Sequence, residues 1–136
     1  MNYADSSPHD ATLSHVLCVV DPNPGVCNSL TVLLEDLARI QSFDSGESFL
    51  REFSPTLQLP SLLITESCLP GISGLTLYEK LNSQDFRVPT IILATHNNVQ
   101  EAVVAIRAGV HDYFEKPFNA FMVRCSVESA LQNTTS

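Results

Sequence analysis

The sequence predicts an α/β fold: a single doubly wound, five-stranded parallel sheet with helices on both faces. Three observations carry that expectation. Short apolar runs without polar alternation recur along the chain, as in strands buried on both faces. Segments with apolar residues at helical spacing stand between them. The two kinds of segment alternate in order, which in one domain means parallel strands joined by helical crossovers.

The elements follow one another as that fold requires. Val16 to Val20 is apolar throughout and reads as the first strand. Asn23 followed by Pro24 has the form of a helix N-cap with proline at the first helical position. Val26, Leu30, Leu33, Leu34 and Leu37 then recur on one helical face. A short second strand is expected near Ile40 to Phe43, and a helix from about Glu47 to Phe53. Pro60 precedes a third strand, Leu62 to Thr65, and Ser73 starts a helix carrying Leu75, Leu77, Tyr78 and Leu81. Pro89 introduces a fourth buried run, Thr90 to Ala94. Asn98 with Glu101 three residues on has the pattern of a capping box, with Asn in place of the usual Ser or Thr. That helix places Val99, Val103 and Ile106 on one face and stops at Gly109. Tyr113 to Glu115 makes the fifth strand, and Asn119 begins the last helix. Residues 1–14 and 132–136 are polar and read as loose tails, leaving 15–131 as the domain.

Bulk properties narrow the function. At 136 residues and 14.9 kDa the chain holds a single core. Its apolar runs fall well short of the roughly 18–20 residues of a membrane span, and the N-terminus lacks a signal-peptide layout. A cytoplasmic location is therefore expected. Seven basic residues among fifteen acidic ones, a net charge of −8, argue against direct nucleic-acid binding, which needs clustered Lys and Arg. The same charge suits a basic protein partner. Cys18, Cys27, Cys68 and Cys125 show no metal or redox spacing and are expected to be reduced thiols. No Ser-His-Asp or Cys-His arrangement can be argued, so the chain is not expected to be an enzyme. His9, His15, His96 and His111 are weak candidates, expected in tails or exposed loops. Gly71 and Gly74 flank a turn without a dinucleotide-binding pattern.

Open parallel sheets bind ligands beyond the carboxyl ends of their strands, and Asp21, Glu66, Ala94 and Lys116 all fall there. Three segments carry these residues: Val19-Val20-Asp21-Pro22-Asn23-Pro24, the run from Leu62 through Glu66 to Leu69-Pro70-Gly71-Ile72-Ser73-Gly74, and Asp112-Tyr113-Phe114-Glu115-Lys116-Pro117-Phe118. Together they resemble the receiver domain of bacterial two-component response regulators, over about residues 15–131. The match is nearest to receivers that precede a LuxR-type DNA-binding domain. The resemblance implies a flavodoxin-like strand order, 2-1-3-4-5, and a place in phosphorelay signal transduction.

It also implies a site, and here the chain departs from its relatives. In receivers an aspartate accepts a phosphoryl group, an acidic pair holds Mg²⁺, a Ser/Thr bonds the phosphoryl oxygen and a lysine neutralises it. Lys116 is retained, and the resemblance implies a cis bond to Pro117. Asp21 matches the first acidic residue, but Pro22 stands where the direct metal ligand belongs. Glu66 fills the acceptor position, pushing its carboxylate outward by roughly 1.5 Å, about one C–C bond. Ala94, 22 residues before Lys116, fills the Ser/Thr position. Thr95 is adjacent but should point elsewhere by strand alternation. Tyr113 matches the switch aromatic and is expected to turn inward over Ala94.

These changes imply a degenerate receiver, with Mg²⁺ binding weak or absent and no other cofactor. The expected role is a phosphorylation-independent module that binds a protein partner or a second copy through its fourth helix, fifth strand and fifth helix. A Glu66–Lys116 ion pair is expected to hold one fixed state, unless Glu66 merely occupies a disused pocket. A conventional phosphoacceptor with altered geometry and a small-ligand sensor in the old phosphate pocket remain as other readings. No DNA-binding segment follows the last helix, so the chain reads either as a single-domain regulator or as the N-terminal piece of a longer transcription factor.

Overall fold

The computed structural model describes residues 14–53, 59–84, 86–96 and 98–135, with side chains described as far as Gln132. The N-terminal tail expected over 1–14, and His9 within it, lie outside the described residues up to position 13. In chain order the elements are β1 (Val16–Val20), α1 (Pro24–Leu34), β2 (Arg39–Phe43), α2 (Gly46–Phe53), β3 (Leu62–Glu66), α3 (Gly74–Ser83), β4 (Thr90–Ala94), α4 (Val99–Ala108), β5 (Asp112–Glu115) and α5 (Ala120–Thr135). The strands form one five-stranded sheet in the order β2-β1-β3-β4-β5, every neighbouring pair parallel. Fold class and strand order are those expected.

Position in the sheet follows from composition. β3 and β4 are buried at every residue, and β1 at all but its first, so the apolar runs take the centre. Arg39-Ile40-Gln41-Ser42-Phe43 mixes polar with apolar residues, none of them fully buried, and sits at one edge of the sheet. The two-residue period of a strand then divides the core. Leu17, Val19, Ile64, Ile91 and Leu93 face Leu30 and Leu34 of α1 and Val123 and Val127 of α5. Cys18, Val20 and Leu63 face Phe49 of α2 and Leu77 and Leu81 of α3. Ile92, Ala105 and Val110 form a smaller cluster beneath α4.

Helix boundaries are set by caps. Asn23 accepts from the Gly25 N–H with Pro24 next in line, and Ser73 accepts from the Thr76 N–H. Gly109 ends α4 at φ 108°, a left-handed conformation that costs a side-chain-bearing residue about 1–2 kcal/mol. Gly74 starts α3 so close to β3 that a Cβ there would collide with the Glu66 carbonyl oxygen. Its N–H bonds the Ser67 carbonyl at 2.9 Å, which fixes the loop after Glu66.

Val99, Val103 and Ile106 share a face of α4 as expected; that face points to solvent, and Ala105 is the helix's one buried residue. A small residue at the contact lets α4 lie flat on Ile92 and Val110, and the larger side chains are turned outward. The last helix runs through Thr135, into the segment from Gln132 that is expected to be a tail. Extending an established helix adds one bond per residue fixed, so polar residues can prolong a well-packed one. Among the described residues no helix is long and apolar enough to cross a membrane.

Candidate functional site

The parallel register brings four strand ends to one edge. Glu66 is the last residue of β3, opposite Leu93, and Ala94 ends β4 opposite Glu115. Asp21 directly follows β1, held by its N–H bond to the Phe43 carbonyl at 2.9 Å. Lys116 directly follows β5, held by its N–H bond to the Ala94 carbonyl at 2.8 Å, and the Lys116–Pro117 peptide bond is cis.

Lys116 closes the pocket. Its ammonium lies 2.6 Å from Oδ2 of Asp21 and 2.5 Å from Oε1 of Glu66, and both carboxylates are only 3% exposed. The remaining acceptor sites are also used. Asp21 Oδ1 accepts from the Asn23 N–H at 2.9 Å, a turn that simultaneously presents Asn23 as the cap of α1. Glu66 Oε1 accepts from the Thr95 hydroxyl at 2.7 Å, and Oε2 from the Cys68 N–H at 2.7 Å. Two carboxylates thus share one ammonium, and Glu66 collects three kinds of donor.

The electrostatics follow from these contacts. Burial alone would raise the Glu66 pKa, but hydrogen bonds from Lys116, the Cys68 N–H and Thr95 outweigh it. The group ionises below its ordinary value of 4.5. For Lys116 burial again opposes charge, and the bonds to Asp21 and Glu66 overcome it, raising the pKa above 10.5. Glu66 is therefore a carboxylate and Lys116 an ammonium throughout the neutral range.

Two placements differ from expectation. Thr95 points into the pocket, not away from it. Alternation holds only within a strand; β4 ends at Ala94, and the bend at Thr95 turns its hydroxyl onto Glu66. The second concerns Glu101. Asn98 accepts from the Glu101 N–H at 3.0 Å, giving one half of the expected capping box. The Glu101 carboxylate does not complete it. Both its oxygens accept from the Ser67 hydroxyl, at 2.7 and 2.6 Å, and Oε1 also accepts from Tyr113 at 2.6 Å. Tyr113 is half-buried, its ring packed on the Ile92–Ala105–Val110 cluster. Sequence gave an indication of Thr95 by adjacency, but none linking Glu101 to Ser67, 34 residues away.

Pro22 is exposed and lines a cavity with Asp21. His96 is exposed, and the His15 ring pairs with Ser61 at 3.1 Å. Cys18 and Cys27 are buried free thiols, Cys68 and Cys125 exposed ones. Burial pushes the Cys18 thiol up to about 12, too high for nucleophilic use.

Pro22 offers no side-chain oxygen to a metal ion, and both Asp21 and Glu66 are already bonded to the Lys116 ammonium. Among the described residues no group of three or more His, Cys, Asp or Glu side chains is placed to hold a metal ion.

Comparison with known proteins agrees with the fold. The family model for the response regulator receiver domain matches residues 17–127. The C4-dicarboxylate transport transcriptional regulatory protein DctD of Pseudomonas aeruginosa is 30% identical over 126 residues, covering 93% of this chain. The transcriptional regulatory protein FixJ of Azorhizobium caulinodans is 32% identical over 114 residues, covering 83%. The chain spans 27% of the length of the first and 53% of the second. A crystal structure of a response regulator receiver protein from Pseudoalteromonas atlantica superposes with a TM-score of 0.77 at 31% identity, covering 87% of this chain and 98% of that one.

Proposed function

The chain belongs to the response regulator receiver domain family, and from that premise we propose that it is a receiver acting without a phosphorylation cycle, as a protein-interaction module in two-component signalling. The observation that carries this reading is Lys116, bonded at once to Asp21 and Glu66. Phosphoryl transfer to a receiver needs a free carboxylate oxygen to attack phosphorus as the bond to the donor breaks, and a metal to neutralise the transferred group. Here the oxygens of Glu66 are taken by Lys116, Thr95 and Cys68, and the cation between the carboxylates is part of the chain.

Glu66 then acts as a permanent stand-in for charge at the pocket. It presents a carboxylate to a lysine, a hydroxyl and a backbone N–H, a donor set that would suit a phosphoryl oxygen equally well. The lock keeps the domain in a single state, and its output is contact with another protein. Val103, Val104, Ile106, Phe121 and Met122 stand exposed on α4 and α5, and they support the α4–β5–α5 flank as the contact surface for a partner or a second copy. Regulation of transcription through such a contact accords with the names of DctD and FixJ.

Incubation with acetyl phosphate and Mg²⁺, followed by intact-mass measurement, tests the reading. The expected result is unmodified protein under conditions that phosphorylate the double variant Pro22→Asp/Glu66→Asp. A phosphoryl adduct on Glu66 of the native chain would overturn it.

A further inference from the structure

A second polar network adjoins the acidic pocket without sharing a residue with it. Glu66 belongs to the pocket; Ser67, the next residue, begins the other. The Ser67 side chain is buried, and its hydroxyl donates to both oxygens of Glu101. The Tyr113 hydroxyl donates to the same carboxylate. The three residues come from the exit of β3, the first turn of α4 and the body of β5. Hydroxyl-to-carboxylate bonds of this length are charge-assisted, roughly twice as strong as bonds between neutral groups.

The rest of α4 gives this network its importance. One buried residue, Ala105, is little apolar contact for a helix of ten residues, so packing alone holds α4 lightly. Ala94, ending the strand between β3 and β5, has no hydroxyl with which to connect Tyr113 to the pocket. Resting on the reading of this chain as an interaction module, we infer that Glu101 is the positioning residue of its contact surface. By binding Ser67 and Tyr113 together, it latches α4 to the sheet and gives the groove between α4 and β5 one preset shape. That groove, about 530 Å³ in volume, is lined by Val99, Ala102, Val103, Ile106, Tyr113 and Phe114 among others. The latch works whatever the charge of the pocket beside it. Burial, then the bond to Glu101 and its negative charge, also drive the Tyr113 phenol well above its ordinary pKa of 10.0.

The test uses the native chain alone, without partner, magnesium or phosphoryl donor, so that a failed latch and a failed functional reading remain separate results. Amide hydrogen exchange, read by NMR, should accelerate about tenfold or more over the first two turns of α4 in Glu101→Ala. Tyr113→Phe keeps the ring in its packing and removes only the hydroxyl; it should accelerate the same amides, and it decides the matter if Glu101→Ala does not fold. Glu101→Gln keeps an acceptor oxygen and should recover most of the protection, while the Tyr113 phenol still ionises at lower pH than in the native protein. Native-like α4 exchange in both Glu101→Ala and Tyr113→Phe would overturn the inference. So would a Glu66→Gln variant that loosens α4 as much as Glu101→Ala, because the pocket and not the latch would then set the groove.

Discussion

The carboxyl end of the sheet and the flank formed by α4, β5 and α5 belong to one small domain, yet they meet solvent in opposite ways. At the sheet end charge is buried and partnered: Asp21, Glu66 and Lys116 are joined, with Thr95 and the Cys68 N–H completing the shell. Along the flank apolar groups are exposed, Val99 at 69% and Phe121 at 74%, with four more between 42% and 55%. A ligand entering the pocket has to compete with charge-assisted bonds already made in a low dielectric. A protein covering the flank meets no such competition and gains about 25 cal/mol for each Å² of apolar surface removed from water. The difference separates partnered, buried charge at the sheet end from uncovered apolar surface on the flank.

Substitutions in the two regions should therefore fail in different ways, and the pocket should give the larger losses of stability. Lys116→Met leaves two buried carboxylates facing each other without a counter-charge. Breaking a buried ion pair by removing one partner costs about 3–5 kcal/mol, and a urea titration should show a loss of that order. A cost under about 1 kcal/mol would mean that water, not Lys116, stabilises the pair. Glu66→Gln is milder, because Asp21 keeps Lys116 and the amide oxygen keeps one donor. It should cost about 1.5–3 kcal/mol, the worth of a hydrogen bond to a charged group.

The same pair fixes a pH window. The folded pKa of Glu66 lies below its unfolded value of 4.5, so its contribution is complete well above pH 4.5 and is lost as pH falls through the folded value. The folded pKa of Lys116 lies above 10.5, so its contribution is complete below pH 10.5 and is lost as pH rises through the folded value. The stability difference between native protein and Glu66→Gln should accordingly be flat through the neutral range and shrink at both ends. A difference that grew on acidification would reverse the assigned sign.

The two regions were also unequally legible in the sequence. The pocket residues could be placed because each stands at the end of an apolar run, and parallel strands bring such ends together whatever lies between them. The Glu66–Lys116 contact is what the receiver resemblance implies, with Glu66 at the acceptor position and Lys116 at the neutralising one. Thr95 departs from strand alternation for a physical reason: β4 ends at Ala94, and the period-two rule ends with it. α4 was harder. Val99, Val103 and Ile106 have the spacing of a core-facing stripe, and periodicity identifies a shared face without telling which way it points. Ala105, the residue that actually faces inward, carries little hydrophobic signal of its own. Glu101 was masked by its place three residues after Asn98, where a local cap explained it fully. Its link to Ser67 is a tertiary contact that no local pattern encodes.

The smallest expected effect on stability belongs to the flank, and it gives the sharpest test of the comparison. Val103 and Ile106 project from α4 into solvent at 42% and 51% exposure, so replacing both with serine removes little buried contact. Surface changes of this kind usually shift stability by less than about 0.5 kcal/mol each. The capping contacts of α4, at Asn98 and Gly109, and the bonds of Glu101 are left in place. Association should respond in the opposite sense, because exposed apolar side chains gain energy only when something covers them. In sedimentation equilibrium the native chain should show concentration-dependent self-association, and the Val103→Ser/Ile106→Ser variant should remain monomeric over the same range. The converse experiment completes the pair: Glu66→Gln, though less stable, should associate like the native protein, because the latch at Glu101 holds the groove independently of the pocket. If Glu66→Gln dissociated while the double serine variant did not, recognition would belong to the sheet end, and the division of labour between the two regions would have to be reversed.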